Sequence, residues 1–314
     1  MPGAIPSAVA ESARIARVGN GAVSDLERAA SPGGRLREQL AAGELIVAPG
    51  IFDGLSAHLV RRMGFRAGYL TGAGVAASGF ALPDVGLVGM AEMVEHVAMA
   101  TGVLGEIPLI ADADTGYGPP ASVARTVRAY ERAGAAAIQL EDQAFPKRCG
   151  HLAGKRIVTA KAFLAQLGAA LDARQDALII ARTDARAVCG LDEAIERANT
   201  YAAAGADVVF IEAPRSLDEI ARIGREVAAP KLINIVAGGL TPEIDHAALT
   251  ALGFAVAIYP TTALLAATDA MVKALAGLAG SDAGLSTATM EDFFRLVGLD
   301  DWFDIGDRWP VPGE

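Results

Sequence analysis

The chain has 314 residues, 52% of them apolar and 20% charged, with a formal net charge of −10. That apolar share is ample for a large buried core and excludes a disordered chain. The acidic balance, without a basic stripe, excludes nucleic acid as a partner.

In chain order, residues 1–34 are broken by Glu11, Arg14, Arg17 and Asp25, lack the apolar core of a signal peptide, and read as a loosely ordered extension. Short apolar runs then recur at 45–50, 66–72, 107–114, 135–142, 177–184, 206–213, 230–236 and 254–260. Continuous runs of this kind are how buried parallel strands read, because both faces are covered. Ala-rich segments with helical spacing lie between them, among them 120–133, 159–173, 192–204 and 216–228, opened by Ser122, Asp192 and Ser216. Eight strand–helix units predict an α/β fold, a closed (β/α)8 TIM-type barrel over residues 35–280, with an open doubly wound sheet as the alternative. No segment offers ~18 charge-free apolar residues, so no membrane span is expected. Residues 281–314 contain the aromatic stretch MEDFFRLVGLDDWFDIGDRW. Such a tail packs under the barrel or, the option favoured here, makes an oligomer contact.

Barrel chemistry sits at the C-terminal ends of strands, and polar residues gather there. The third run ends in Asp112 and Asp114, which share a face in extended chain. Glu141 and Asp142 close the fourth, Arg182, Thr183 and Asp184 the fifth, and Glu212 the sixth; Asn234 lies in the seventh, and Asp84 follows the second. Carboxylates converging on one mouth repel one another unless a cation or protons intervene. Hard oxygen donors without a nearby His or Cys pair suggest Mg²⁺ or Mn²⁺. Taken singly, each of these acids could equally be a helix cap or a solvated side chain.

After the second run, Gly72, Gly74 and Ala77 satisfy a loose dinucleotide fingerprint, but no ribose-binding acid follows at the required distance. Backbone N–H groups that cradle a substrate carboxylate, helped by Tyr69 and Thr71, are the preferred reading. The segment FPKRCGHLAG sets Cys149 between Lys147, Arg148 and His151. Those neighbours are expected to favour the thiolate, lowering a value that is ~8.5 in isolation. Gly150 and Gly154 keep the stretch irregular and mobile. The plain alternative is a surface loop with a chance cysteine. His58, His96 and His246 are expected to be surface or packing residues, and Cys189 a small apolar filler. Two cysteines make no disulfide framework, which points to a reducing, cytoplasmic compartment.

The motifs YLTGAG, LPDVG, DADTGYG, IQLEDQAFPKRCGH, ARTDA and FIEAP, in that order from about Pro49 to Asn234, resemble the isocitrate lyase/phosphoenolpyruvate mutase superfamily. The resemblance implies a (β/α)8 barrel, a homotetramer with an exchanged C-terminal helix, and Mg²⁺. It implies that Asp112 binds the metal directly while Asp84, Asp114 and Glu141 hold its waters. Tyr69, Thr71, Gly72 and Ala73, with Gly150, would bind the α-oxyacid end of a small carboxylic-acid substrate. Arg182 would neutralise a carboxylate or developing oxyanion, and Glu212 and Asn234 would line the second substrate arm.

The Cys loop is the mark of the carbon–carbon lyases. These cleave a 2-hydroxy di- or tricarboxylate, of 2-alkylmalate or 2-methylisocitrate type, to an α-oxo acid and a second acid. Cys149, flanked by Lys147, Arg148 and His151, would supply the proton. Leu152 and Ala153 stand where tricarboxylate members carry a basic residue, so the loop is more similar to the dimethylmalate lyase form. The other readings are an oxaloacetate hydrolase or decarboxylase, a carboxyphosphonoenolpyruvate-type phosphonomutase, and a non-catalytic dicarboxylate-binding barrel.

Overall fold

The computed structural model describes residues 31–281 and 284–309. The extension expected over residues 1–30 lies outside them. Eight parallel strands close on themselves in chain order: β1 (Ile46–Ile51), β2 (Gly68–Leu70), β3 (Leu109–Asp112), β4 (Ala137–Glu141), β5 (Leu178–Thr183), β6 (Val208–Ile211), β7 (Lys231–Asn234) and β8 (Phe254–Tyr259). The closed-barrel expectation holds, and the open sheet is ruled out.

Because side chains alternate along a strand, each run sends one set of residues into the lumen and the other under the helices. Ile110, Ala137, Leu178, Ile180, Val208, Phe210, Leu232 and Ile258 fill the interior. Leu109, Ala111, Ile138, Leu140, Ile179, Ala181 and Ile233 pack outward. The same alternation carries Tyr69, Asp112, Gln139, Glu141, Arg182 and Asn234 onto the lumen side. The register pairs Asp112 with Gln139 and Glu141 with Arg182 on adjacent strands.

The helices are α1 (Pro32–Ala41), α2 (Gly54–Arg62), α3 (Gly72–Phe80), α4 (Met90–Leu104), α5 (Pro120–Arg132), α6 (Ala160–Ala173), α7 (Ala185–Val188), α8 (Leu191–Ala203), α9 (Leu217–Glu226), α10 (His246–Ala251), α11 (Thr262–Ala279), α12 (Met290–Arg295) and α13 (Leu299–Arg308). Side-chain caps at Asp53, Thr71, Thr159, Ser216 and Asp245 satisfy first-turn N–H groups and set where the chain turns from strand end to helix. Ser122 and Asp192 are not caps; Pro119 and Gly190 hold those positions.

One boundary differs from the expectation. Residues 31–34 belong to the folded unit: Ser31 caps α1, Asp176 accepts from the Gly33 N–H at 2.8 Å, and Leu36 enters the inner cluster. The tail does not lie under the barrel. α12 buries Met290, Phe293 and Phe294 over the mouth, against Phe52, Ala73, Cys149 and Val236.

By contrast α11 is largely exposed, burying only Leu264. Among the described residues it is the one helix long and apolar enough to cross a membrane, with 18 residues and a mean hydropathy of 1.4. It is not charge-free: Asp269 and Lys273 pair along it at 2.6 Å.

Candidate active site

The mouth of the barrel holds a small cavity of about 40 Å³, lined by Tyr69, Thr71, Ala73, Asp84, Asp112, Cys149, Gly150, His151, Arg182 and Asn234 and, on its more apolar side, Val236, Ile258, Pro260, Thr261 and Met290. At ~10–15 Å³ per water it has room for only a few waters. Residues from the ends of five strands, β2, β3, β5, β7 and β8, from the segments around Asp84 and Cys149, and from α12 meet there.

Arg182 is the charge at its centre. Its Nε and Nη2 donate to Asp184 at 2.9 and 3.1 Å, Nη1 lies 3.3 Å from Glu141 Oε2, and Nε lies 3.8 Å from Glu212. Phe210 lies beneath the guanidinium, 5.3 Å from ring centre to Cζ. Burial works against the cation, but Asp184, Glu141 and Glu212 outweigh it and hold Arg182 more firmly protonated than usual. Asp184 responds in kind: although burial opposes ionisation, Arg182 and Lys155 drive its carboxyl well below the ordinary range.

On the opposite wall, Asp112 accepts from the Gly72 N–H at 3.3 Å, from the Asp114 N–H at 3.1 Å and from Gln139 Nε2 at 3.3 Å. Gln139 in turn accepts from the Tyr69 hydroxyl at 3.1 Å. Thr71 Oγ1 accepts from the Gly74 N–H, leaving its own proton free to point into the cavity. The expected cradle of amides is therefore partly occupied, since the Gly72 N–H serves Asp112. Ala73, the next residue into a first turn where N–H groups lack helical partners, lines the cavity. The glycine at position 74 is a packing requirement: a Cβ there would lie 2.6 Å from Thr71 and 2.9 Å from Phe52. The dinucleotide fingerprint has no further role to explain.

The acidic set fits a divalent cation. Burial raises Glu141 well above its usual value, with Arg182 opposing and Asp184 reinforcing, and its Oε1 is buried without a partner. Burial also pushes Asp114 up to about 7, eased by Lys147 and worsened by Asp112 and Asp84. The Lys147 ammonium reaches between Asp84 and Asp114, 2.6 Å from the latter, so this group of carboxylates already draws in a cation. Among the described residues no three acid, His or Cys groups form a ready-made cage. Of the divalent cations, Mg²⁺ asks least of such a set, since it keeps several waters and takes one or two carboxylates directly.

Cys149 reverses the expectation drawn from its neighbours. Lys147 points away to the carboxylates; the Arg148 guanidinium leaves the cavity for the Ala153 carbonyl and the ring of Phe303, 4.6 Å away. His151 is kept neutral chiefly by burial, although Glu212 opposes this. Its Nδ1 accepts from the Leu240 N–H at 3.1 Å, which leaves the ring proton on Nε2, 3.4 Å from Glu212. Burial and the nearby Asp84 push the Cys149 thiol up to about 12, outweighing the His151 backbone N–H and the Lys147 charge, which act the other way. The group is a protonated acid rather than a poised thiolate.

The loop bearing it is irregular, as expected, but closely packed. Gln143 pairs with Ile157 at its base, and the Cys149 N–H donates to the Asp84 carbonyl. Gly150 cannot be replaced there, since a Cβ would lie 2.5 Å from Glu212 Oε1 and 2.7 Å from Arg182 Nη2. Asn234 donates to both Glu212 oxygens at 3.3 and 3.4 Å, completing the second wall.

Sequence reading missed Gln139, Lys155 and the apolar lining from Pro260 and Met290. Gln139 shared its strand face with Glu141, two residues on, and that spacing was the available signal. Cys189 is exposed, not an apolar filler. His58 and His246 are exposed and His96 packs on Phe80, all away from the cavity.

A sequence profile described as phosphoenolpyruvate phosphomutase matches residues 36–279. The chain belongs to this family. Its relatives include a 2,3-dimethylmalate lyase of Eubacterium barkeri, 45% identical over 85% of this chain and 94% of that protein. Another is a 2-methylisocitrate lyase of Aeropyrum pernix, 42% identical over 86% and 89%. Among solved structures, oxaloacetate acetylhydrolase with 3,3-difluorooxalacetate superposes at a TM-score of 0.78, with 38% identity over 88% of this chain and 97% of that one. Phosphonopyruvate hydrolase, solved with oxalate and Mg²⁺, superposes at 0.70 with 29% identity over 90% and 100%.

The state of the thiol is open to test. At pH 8 a thiol at about 12 is ~10⁻⁴ ionised, against roughly a quarter for one near ~8.5. Iodoacetamide should therefore modify exposed Cys189 at least ~10³-fold faster than Cys149, read by peptide mass spectrometry. Comparable rates would contradict the assignment.

Proposed function

We propose that this chain is a Mg²⁺-dependent carbon–carbon lyase that cleaves a 2-hydroxy dicarboxylate of the 2-alkylmalate type to an α-oxo acid such as pyruvate and a second carboxylic acid. The observation that carries the reading is the protonated Cys149 thiol facing the same small cavity as Arg182, Asp112 and Tyr69. Breaking a C–C bond beside a carboxylate leaves an electron pair on carbon that must receive a proton. Moving a phosphoryl group between oxygen and carbon creates no such demand. The 2,3-dimethylmalate and 2-methylisocitrate lyases among the relatives support the same class.

In this reading Arg182 receives one substrate carboxylate, and Thr71 with the first turn of α3 receives the α-oxyacid end. Mg²⁺ held by Asp112, and through water by Asp84, Asp114 and Glu141, would stabilise the substrate oxygen as its proton leaves. That proton passes to the carboxylate set. The C–C bond breaks as the carbonyl forms, and its electron pair stays on the departing carbon. Cys149 gives that carbon its proton and is reprotonated from the carboxylate set or from solvent once the loop opens. The closed loop keeps water from competing for the carbanion.

The lining also speaks to substrate size. Arg182 is its one permanent cation, since His151 is neutral, and the far side is Val236, Ile258, Pro260 and Met290 with the Thr261 hydroxyl among them. A third carboxylate there would meet one hydroxyl and no charge, whereas an alkyl group would be at home. With Mg²⁺, keto-acid release from 2,3-dimethylmalate, 2-methylisocitrate, isocitrate and oxaloacetate should favour dimethylmalate. Cys149→Ser should lower turnover by ~10²-fold or more. Oxalate and acetate from oxaloacetate alone would replace the lyase with a hydrolase. Silence across the panel would leave the phosphonomutase and the binding protein.

The same reading makes the chain a cytoplasmic homotetramer. Its two cysteines are free, as in a reducing compartment. Met271, Leu275 and Leu278 stand exposed at helical spacing on α11, as do Leu55 and Leu59 on α2 and Met63 just past its end. Between these helices runs an apolar groove of about 710 Å³. Exposed apolar faces of this extent mark an interface, and a helix of a second copy is the occupant we assign. Leu275→Arg combined with Leu278→Arg should convert a tetramer to smaller species in sedimentation velocity. An unchanged tetramer would contradict the assignment.

A further inference from the structure

Lys155 lies on the return leg of the Cys149 loop and plays no part in the chemistry above. Its ammonium is only 3% exposed, donates to the Gly150 carbonyl at 2.6 Å, and pairs with Asp184 Oδ1 at 2.7 Å. Asp184 is the same carboxylate that grips Arg182 through both of its oxygens.

The two partners belong to different parts of the molecule. Asp184 is anchored to the barrel: its N–H donates to Asp142 Oδ1 at 2.9 Å. The other Asp142 oxygen accepts from Thr183 at 2.7 Å and from Arg197 and Tyr201 at 3.0 Å each. Lys155 belongs to the loop, just inside the hinge where Ala144 N–H meets the Arg156 carbonyl at 2.8 Å and Val158 N–H meets the Asp142 carbonyl at 2.9 Å. Arg197 also donates to the Val158 carbonyl at 2.9 Å, fixing the barrel side of that hinge.

Backbone and packing contacts also hold the loop, but its other buried ion pairs involve groups with a second task. Lys147 rests on Asp84 and Asp114, which belong to the proposed metal set, and His151 rests against Glu212 in the substrate wall. When Lys155 withdraws to water, by contrast, Asp184 keeps Arg182 as its partner and no buried charge is stranded. A bond that can be broken without stranding a charge is suited to repeated opening.

We propose that the Lys155–Asp184 contact is the latch of the Cys149 loop, making Lys155 a positioning residue that sets how long the thiol stays over the cavity. Because Asp184 is shared, closing the latch also fixes the carboxylate that orients Arg182. The turnover consequence rests on the lyase reading; the conformational consequence does not.

The test uses the full-length protein in a Cys189→Ser background, with iodoacetamide as the probe of Cys149 and oxalate plus Mg²⁺ as the ligand. Lys155→Met should raise the rate of Cys149 alkylation in the unliganded protein by tenfold or more. Oxalate affinity should stay within threefold, because Arg182 keeps Asp184. On whichever acid the protein cleaves, kcat should fall at least tenfold with KM little changed, and Lys155→Arg should recover part of that loss. A merely structural lysine would weaken oxalate binding and thermal stability together and would show no rescue. Should Lys155→Met fail to fold, Lys155→Gln keeps a donor for the Gly150 carbonyl without the charge and should show the same alkylation gain. Unchanged alkylation in a folded, oxalate-binding variant overturns the latch. Faster alkylation in a protein that turns over none of the acids upholds it while removing the lyase reading.

Discussion

Everything at the mouth of this barrel depends on one buried cation. Arg182 has almost no access to water, and moving an ion of this kind into a dry interior costs several kcal/mol even after relaxation. The fold meets that cost with Asp184 gripping the guanidinium through two hydrogen bonds, Glu141 and Glu212 beside it, and Phe210 below. Each partner is then constrained in turn. Asp184 is braced by Asp142, Glu212 by Asn234 and His151, and Gly150 must lack a side chain because Glu212 and Arg182 fill the space a Cβ would need. A site arranged in this way is preorganised for an anion: a substrate carboxylate meets a charge already oriented and desolvated.

The same burial explains the thiol. Burial works against both the Arg182 cation and a Cys149 thiolate, but the cation has three carboxylates to outweigh it, whereas the thiol stays protonated. The carboxylates, the guanidinium and the thiol thus take different charge states around one cavity, set by their partners. The carboxylates on the β3–β4 side are held less completely, with one Glu141 oxygen buried without a partner and Asp114 raised by burial despite its Lys147 partner. The apolar side offers Val236, Ile258, Pro260 and Met290, so the cavity joins a charged half to a greasy one. An alkyl-substituted dicarboxylate has that same division.

Much of this was legible before any coordinates. The eight apolar runs became the eight strands because buried parallel strands leave a continuous signal. The carboxylates at their ends converge because parallel strands all end at one rim. What escaped reading was set by partners distant in sequence. Lys147 and Arg148 flank Cys149 along the chain, yet their side chains diverge to Asp84 and Phe303, so the inferred acidification of the thiol had the wrong sign. Gln139 was hidden among apolar neighbours, and its role needed Tyr69 and Asp112 from two other strands. Pro32, Gly33 and Gly34, which read as the end of a loose extension, instead open the helix from which Leu36 enters the inner cluster. Local pattern specified the scaffold, while the charge states depended on tertiary contacts.

The central claim is that Cys149 delivers a proton to a carbanion created inside this cavity. The most direct measurement is cleavage of the preferred acid in D₂O, with the second product analysed by NMR. The account predicts one deuterium, in a single configuration, on the carbon released from the broken bond, and loss of that product in Cys149→Ser. A product labelled in both configurations, or label delivered equally well by the serine variant, would contradict it.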